Sequence, residues 1–178
     1  MPGRLPEYRG FQLTGLVALR MLVGWHFLYE GVAKLTNPRW TSSGYLLESK
    51  GWFSGFFTDL ANNPGALALV DNLNQWGLAA IGLALLLGIF SRTASVAGIV
   101  LLALYYLAAP PFPGLDYAIP TEGSYLFVNK VLVETGALLV ILGFPTSHQI
   151  GLERIFYLKK QVEHTDTAAT ELATGEAS

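Results

Sequence analysis

Residues 11–35 read F-Q-L-T-G-L-V-A-L-R-M-L-V-G-W-H-F-L-Y-E-G-V-A-K-L. The run is apolar and long enough to cross a bilayer, yet Arg20, His26, Glu30 and Lys34 interrupt it. An ionisable group in hydrocarbon costs at least about 2.5 kcal/mol, so such groups are rare, face the protein interior and mark functional sites. On a helix, His26, Glu30 and Lys34 follow one another at i, i+4 and i+8, and Arg20 falls at the edge of the same arc of about 120°. One face carries all four.

Composition agrees with a membrane-embedded chain. Of 178 residues, 52% are hydrophobic and 13% charged, and mean hydropathy is +0.41. A net charge of −2 leaves no basic surface of the kind nucleic acid requires, so that class is set aside. With no cysteine, the chain offers no thiol, disulfide, iron–sulfur or Cys-ligated zinc chemistry. Arg4 and Arg9 precede the first apolar run without an A-x-A-like cleavage site, which reads as a retained helix.

Turn residues divide the chain into four candidate spans. The first, 11–35, ends before Asn37-Pro38, and the second lies within 66–90, after Asn62-Asn63-Pro64-Gly65. The third, about 93–109, ends at Pro110-Pro111, and the fourth, about 125–144, ends at Gly143-Phe144-Pro145. The fold expected is all-α, an integral membrane four-helix bundle forming one domain over 1–160. It has an aromatic extracytoplasmic loop or interfacial helix between helices 1 and 2, a basic interfacial segment at 148–160 and a disordered tail at 161–178. Small residues at Ala80, Ala84 and Gly88, and at Ala94 and Gly98, suit close helix approach. Asn74 and Gln75 read as ordinary solvated positions near a helix end, the alternative being that they add polar groups to the site.

Orientation follows from the cations in the short loops. Arg4, Arg9, Arg92, Arg154, Lys159 and Lys160 on one side outweigh Arg39 and Lys50 on the other, which places both termini in the cytoplasm. His26, Glu30 and Lys34 then lie in the outer half of the membrane, at the depth of Asn129, Lys130 and Glu134 in the fourth helix, while Arg20 sits nearer the middle. The two polar stripes are expected to meet in one buried site open to the outside. The outer-loop aromatics, Tyr45, Trp52, Phe53, Phe56 and Phe57 among them, read first as an interfacial belt; the alternative is an amphipathic helix over 45–60 that roofs the site and stacks on a flat ligand. The alternative for the charges is a ligand-free ion-pair network, Glu30 with Lys34 and Glu134 with Lys130, that fixes helix register.

An Arg in the first helix, then G-W-H-F-L-Y-E-G-V-A-K-L, L-G-I-F-S-R at the end of the second helix and F-V-N-K-V-L-V-E in the fourth together resemble the DoxX/DoxD family of four-helix membrane proteins, over about residues 11–147. The resemblance implies the prokaryotic cytoplasmic (inner) membrane and a quinone-linked role, as in the DoxD-type membrane subunit of thiosulfate:quinone oxidoreductase. One departure is Asn74-Gln75-Trp76-Gly77, where related sequences often carry an acidic residue early in the second helix.

Quinone reduction needs two electrons and two protons. His26, Glu30 and Glu134 are the candidate catalytic residues, handling protons, and Arg20, Lys34, Trp52, Asn129 and Lys130 the candidates for binding quinone or an anionic donor such as thiosulfate. No metal is expected. Quinone is the expected electron acceptor. The candidate partners are the lipid bilayer, an extracytoplasmic redox partner subunit and further copies of the chain. Three function classes remain open: a quinone-linked oxidoreductase subunit, a non-catalytic membrane anchor or docking subunit of a larger redox or envelope complex, and a small-solute permease. A small-solute permease fits less well, since no span is broken and no repeat is convincing.

Overall fold

The structure, a computed structural model, describes residues 8–118 and 126–155. Among these there are six helices and no strand: α1 Gly10–Leu35, α2 Ser43–Leu47, α3 Ser54–Asn62, α4 Pro64–Leu87, α5 Ser91–Ala108 and α6 Lys130–Gly143. The four long ones are α1, α4, α5 and α6. They pack α1 on α4, α4 on α5, α5 on α6 and α6 on α1, closing a ring. Val23, Phe27, Leu78, Ile81, Leu85, Leu102 and Leu138 fill its middle.

Two of these helices, α1 and α5, are apolar enough along a membrane-length stretch to cross a bilayer. The second span of the sequence reading is α4, equally long but diluted by Asp71, Asn72, Asn74 and Gln75. The bundle wears its large apolar side chains outside: Leu22, Trp25, Tyr29, Leu69, Trp76 and Val133 are each at least 60% exposed, while Arg20 is buried. A water-soluble surface does not carry so continuous an apolar cover.

Glycines set how closely α1 and α4 approach. A Cβ on Gly82 would lie 2.2 Å from the Leu28 nitrogen, and one on Gly31 would lie 2.4 Å from the Ala79 nitrogen. The seam therefore runs through Gly24, Gly31 and Gly82. The expected ridge of Ala80, Ala84 and Gly88 is not this contact: Ala80 is exposed, and Gly88 ends α4 in the left-handed conformation at φ 64°. Gly98 does serve as expected, since a Cβ there would meet Leu138 at 2.8 Å between α5 and α6.

Asn63 caps α4, its side chain accepting from the Gly65 and Ala66 amides, with Pro64 at the first helical position. The connection expected to hold one interfacial helix over 45–60 holds two short ones. α2 and α3 are separated by a turn in which Gly51 takes φ 97°. Leu46 and Phe57 from these helices bury against Ala108, fastening the connection over one end of the bundle. Asp71 accepts from both the amide and the hydroxyl of Ser42, at 2.8 and 2.5 Å, and fixes where α2 begins.

The fourth span differs most from expectation. α6 starts at Lys130 rather than near 125, because Leu126 takes a positive φ of 65° and the Asn129 side chain caps the helix by accepting from the Leu132 amide at 3.0 Å. Its 14 residues extend about 21 Å, less than a hydrocarbon core of about 30 Å. Residues 126–129 continue it as non-helical backbone, held by the Tyr106 hydroxyl donating to the Phe127 carbonyl at 2.7 Å.

At the other end the chain folds back after α6. Leu152 and Glu153 donate to the carbonyls of Leu87 and Gly88 at 3.0 and 3.1 Å, satisfying acceptors that the end of α4 leaves open. The interfacial segment expected at 148–160 is described only to residue 155, and the tail at 161–178 lies outside the described residues.

Candidate functional site

A cavity of about 380 Å³ opens where α1 ends and α6 begins, and the late start of α6 helps to shape it. α1 contributes His26, Phe27, Glu30 and Lys34, and α6 contributes Lys130 and Glu134, with Asn129 just before it. Phe27, Leu78 and Leu102 form an apolar floor. Non-helical backbone at membrane depth is tolerated where it lines a cavity of this kind.

The polar stripes of α1 and α6 do meet. His26 Nε2 lies 3.7 Å from Glu134 Oε1, an ion pair whenever the imidazole is protonated, and Lys34 Nζ lies 3.5 Å from Glu30 Oε2 one turn apart on α1. Glu134 is also within electrostatic reach of Lys130 and Glu30. The ligand-free network expected from spacing pairs charges within each helix. The structure has the Glu30 and Lys34 pair of that scheme and adds a link between helices through His26 and Glu134. Lys34 is further held over the rings of Trp40 and Tyr105, at 5.4 and 5.7 Å from their centroids.

Four further lining residues carry polar tips: Tyr45 and Glu48, which belong to the segment expected to roof the site, and Tyr105 and Tyr117, which were not among the candidate site residues. Tyr45 donates to the Tyr105 carbonyl at 2.9 Å. Burial, with Tyr117 beside it, pushes the Tyr45 hydroxyl up to about 12, so it stays a neutral donor. At the mouth, Glu48 accepts from the Ala118 amide at 3.3 Å. Lys50 donates to the Asp116 carbonyl and sits 5.0 Å from the Tyr117 ring centroid. These contacts latch the loop after α5 to the loop before α3. The available signals were a Tyr pair closing α5 at 105–106 and opposite charges at 48 and 50 in an aromatic loop.

Two expected site residues stand elsewhere. Trp52 is 96% exposed on the loop and does not line the cavity. Arg20 is 2% exposed at the opposite end, where Nη1 donates to Thr146 Oγ1 at 3.0 Å and Nη2 to the Ile150 carbonyl at 2.6 Å. It clamps the chain after α6 against α1. Glu153, bonded to Ser147, is close enough to balance its charge. Asn74, expected to be solvated, is instead buried beneath α2 and α3.

A family model described as DoxX matches residues 15–110, more than half of the sequence. The chain belongs to the DoxX family. DoxX proteins are membrane proteins, in keeping with the two membrane-length apolar helices and the apolar exterior. The matched range covers α1 to α5 and stops before α6, so the α1 half of the cavity lies within it and Asn129, Lys130 and Glu134 lie beyond it. In this DoxX chain α4 begins at Pro64 and carries Asp71, which holds Ser42 and does not line the cavity. No curated protein and no solved structure matches the chain.

Proposed function

We propose that this DoxX protein is a quinone-linked membrane oxidoreductase subunit. It lies in a prokaryotic cytoplasmic membrane with all four long helices spanning, both termini cytoplasmic and the cavity open to the outer side. The supporting observation is the pairing of His26 with Glu134 across α1 and α6, inside a cavity of about 380 Å³ with an apolar floor and a polar rim. That volume falls in the range of ligand sites, about 300–1,000 Å³.

The residues present suit a flat dicarbonyl ring. Phe27, Leu78 and Leu102 offer apolar contact to its faces, and His26, Lys34 and Asn129 offer donors to its oxygens. Quinone supplies the two-electron acceptor. His26 and Glu134 share the work of holding a proton between α1 and α6, and Glu30, 43% exposed, leads from them toward water. Lys34 and Lys130 place positive charge beside an anionic donor, for which thiosulfate is the proposal. Electrons pass from that donor directly or from an extracytoplasmic partner subunit.

The binding test uses the full chain in lipid nanodiscs and a chainless dimethoxy-methyl-benzoquinone. Saturable binding of this probe, lost when Leu102→Trp fills the floor, is the expected result. Folded parent protein that binds none of it overturns the reading. Trp52 and Phe53, exposed on the outer loop, favour the second reading, a docking subunit that holds a partner without turning over quinone.

Arg20 separates structural from functional charge on α1. Arg20→Ala removes two charge-assisted hydrogen bonds worth about 1.5 kcal/mol or more each, so thermal unfolding should register a loss of about 3 kcal/mol. Its affinity for the chainless quinone should match the parent's. A weakened affinity at unchanged stability would return Arg20 to the binding site.

A further inference from the structure

A second pocket, of about 180 Å³, lies behind the wall of the polar cavity. Tyr45 and Tyr105 line both spaces. Its other lining is almost wholly apolar, with Leu46, Phe57, Leu60, Val70, Leu101 and Ala108 inside. At its rim stand Phe56, Leu73 and Leu104, which are 57%, 62% and 45% exposed and belong to the apolar outer faces of α3, α4 and α5. The mouth of this pocket therefore opens sideways, onto the surface that faces hydrocarbon, while the polar cavity opens at the end of the bundle.

One buried polar group stands out in this apolar lining. Asn74 is 7% exposed, and its side chain stands within reach of the Tyr105 hydroxyl. That hydroxyl is buried in the wall between the two spaces, so the pair puts polar atoms where the polar cavity adjoins the apolar pocket. A polar cavity and an apolar pocket that share Tyr45 and Tyr105 as their common wall suit a molecule that is itself polar at one end and apolar at the other.

We propose that the apolar pocket seats the hydrocarbon chain of a membrane-dissolved quinone whose ring occupies the polar cavity, and that the ligand enters from the bilayer between α3, α4 and α5. This rests on the quinone reading above and adds the side from which the ligand arrives and the part of it that the second pocket recognises. Lipid tails are as apolar as leucine, so the bilayer does not drive a chain into the pocket by the hydrophobic effect. Residence there is instead coupled to the ring: the chain stays because the head is held in the adjoining cavity, by the effective-concentration effect of linked binding elements. Position and competition, rather than affinity for chains as such, identify it.

The test uses the full chain in nanodiscs and a decyl-chain benzoquinone ending in an alkyl diazirine, with cross-linked residues mapped by mass spectrometry. Labels are expected on Leu60, Val70, Leu101 and Leu104. Excess decyl-benzoquinone or chainless benzoquinone should remove them, and decanol at the same membrane concentration should not. Val70→Phe and, separately, Leu104→Trp narrow the pocket from two helices. Each should move the labels out of it while saturable binding of the chainless ring persists, a readout that also certifies folding. Labels scattered over Leu22, Trp25 and Val133, or pocket labels removed equally by decanol, overturn the proposal and leave the ring site standing. Failure of the chainless ring to bind the parent overturns both readings together.

Discussion

Gly82→Ala is expected to destabilise the protein more than any other single-methyl change in α4. The new Cβ would stand 2.2 Å from the Leu28 nitrogen, 2.6 Å from the Gly24 oxygen and 2.7 Å from the Leu28 Cα, all backbone atoms of α1. No side-chain rotation relieves that. α1 and α4 must separate, and the separation spreads to Gly31 against Ala79 at the next contact along the seam. Overpacking of a well-packed interface costs about 1–3 kcal/mol and at times more, and a clash of backbone with backbone belongs at the upper end. Gly77→Ala on the same helix is the control. A Cβ there meets nothing within 4 Å, so the substitution should gain up to about 1 kcal/mol of helix propensity. Thermal unfolding of the two variants in the same lipid should move the midpoint in opposite directions. A parental midpoint for Gly82→Ala would mean that α1 and α4 do not pack through this glycine.

Glu134→Gln carries the largest expected effect on activity. The substitution keeps the size of the side chain and its hydrogen bonding while removing the titratable partner of His26 across the cavity. A positioned acid or base contributes about 10²–10⁴-fold, so quinone turnover should fall by at least about 10²-fold. Binding of the chainless ring should persist, because Phe27, Leu78 and Leu102 still hold it. Glu30→Gln, changing a carboxylate nearer the cavity mouth, is expected to cost less. Removing one member of a partly buried pair has its own structural cost, so each rate is read beside an unfolding curve. Equal loss of folding and of rate would make the pair structural.

The extent to which the site could be read from the chain differs from residue to residue. The ends of α1 and α5 were legible because Pro38 and Pro110-Pro111 punctuate them, and His26, Glu30 and Lys34 were legible because apolar surroundings make any charge conspicuous. Arg20 shares their arc, but an arc carries no depth. Six residues separate it from His26, about 9 Å along the axis, and that distance takes it to the middle of α1, where it meets the chain after α6 rather than the cavity. The start of α6 had a signal in Asn129 before an apolar run, since asparagine is a strong N-cap. A hydropathy reading passes over it because Tyr125 to Val128 are as apolar as a helix interior.

The tyrosines were hidden for a different reason. Tyr105 and Tyr45 belong to elements that look like packing and interface, and only the fold of α2 and α3 back onto α5 brings their polar tips to the cavity. The glycine seam was hidden by its spacing. Gly24 and Gly31 lie seven apart and fit one residue pattern with Gly82 only once α1 and α4 are known to cross there. Asn74 looked solvated because its neighbours Asn72 and Gln75 are polar, and the roof that buries it comes from a loop some fifteen to thirty residues earlier, which local sequence does not reveal.

The central claim, that the cavity between α1 and α6 serves quinone reduction, is tested most directly by following quinone consumption by the purified full chain in nanodiscs, with thiosulfate and other small reduced donors supplied in turn. The expected result is donor-dependent loss of quinone by the parent and by Arg20→Ala, and its near absence in Glu134→Gln. Folded protein that reduces no quinone with any donor, or Glu134→Gln protein that reduces it at the parental rate, would contradict the account.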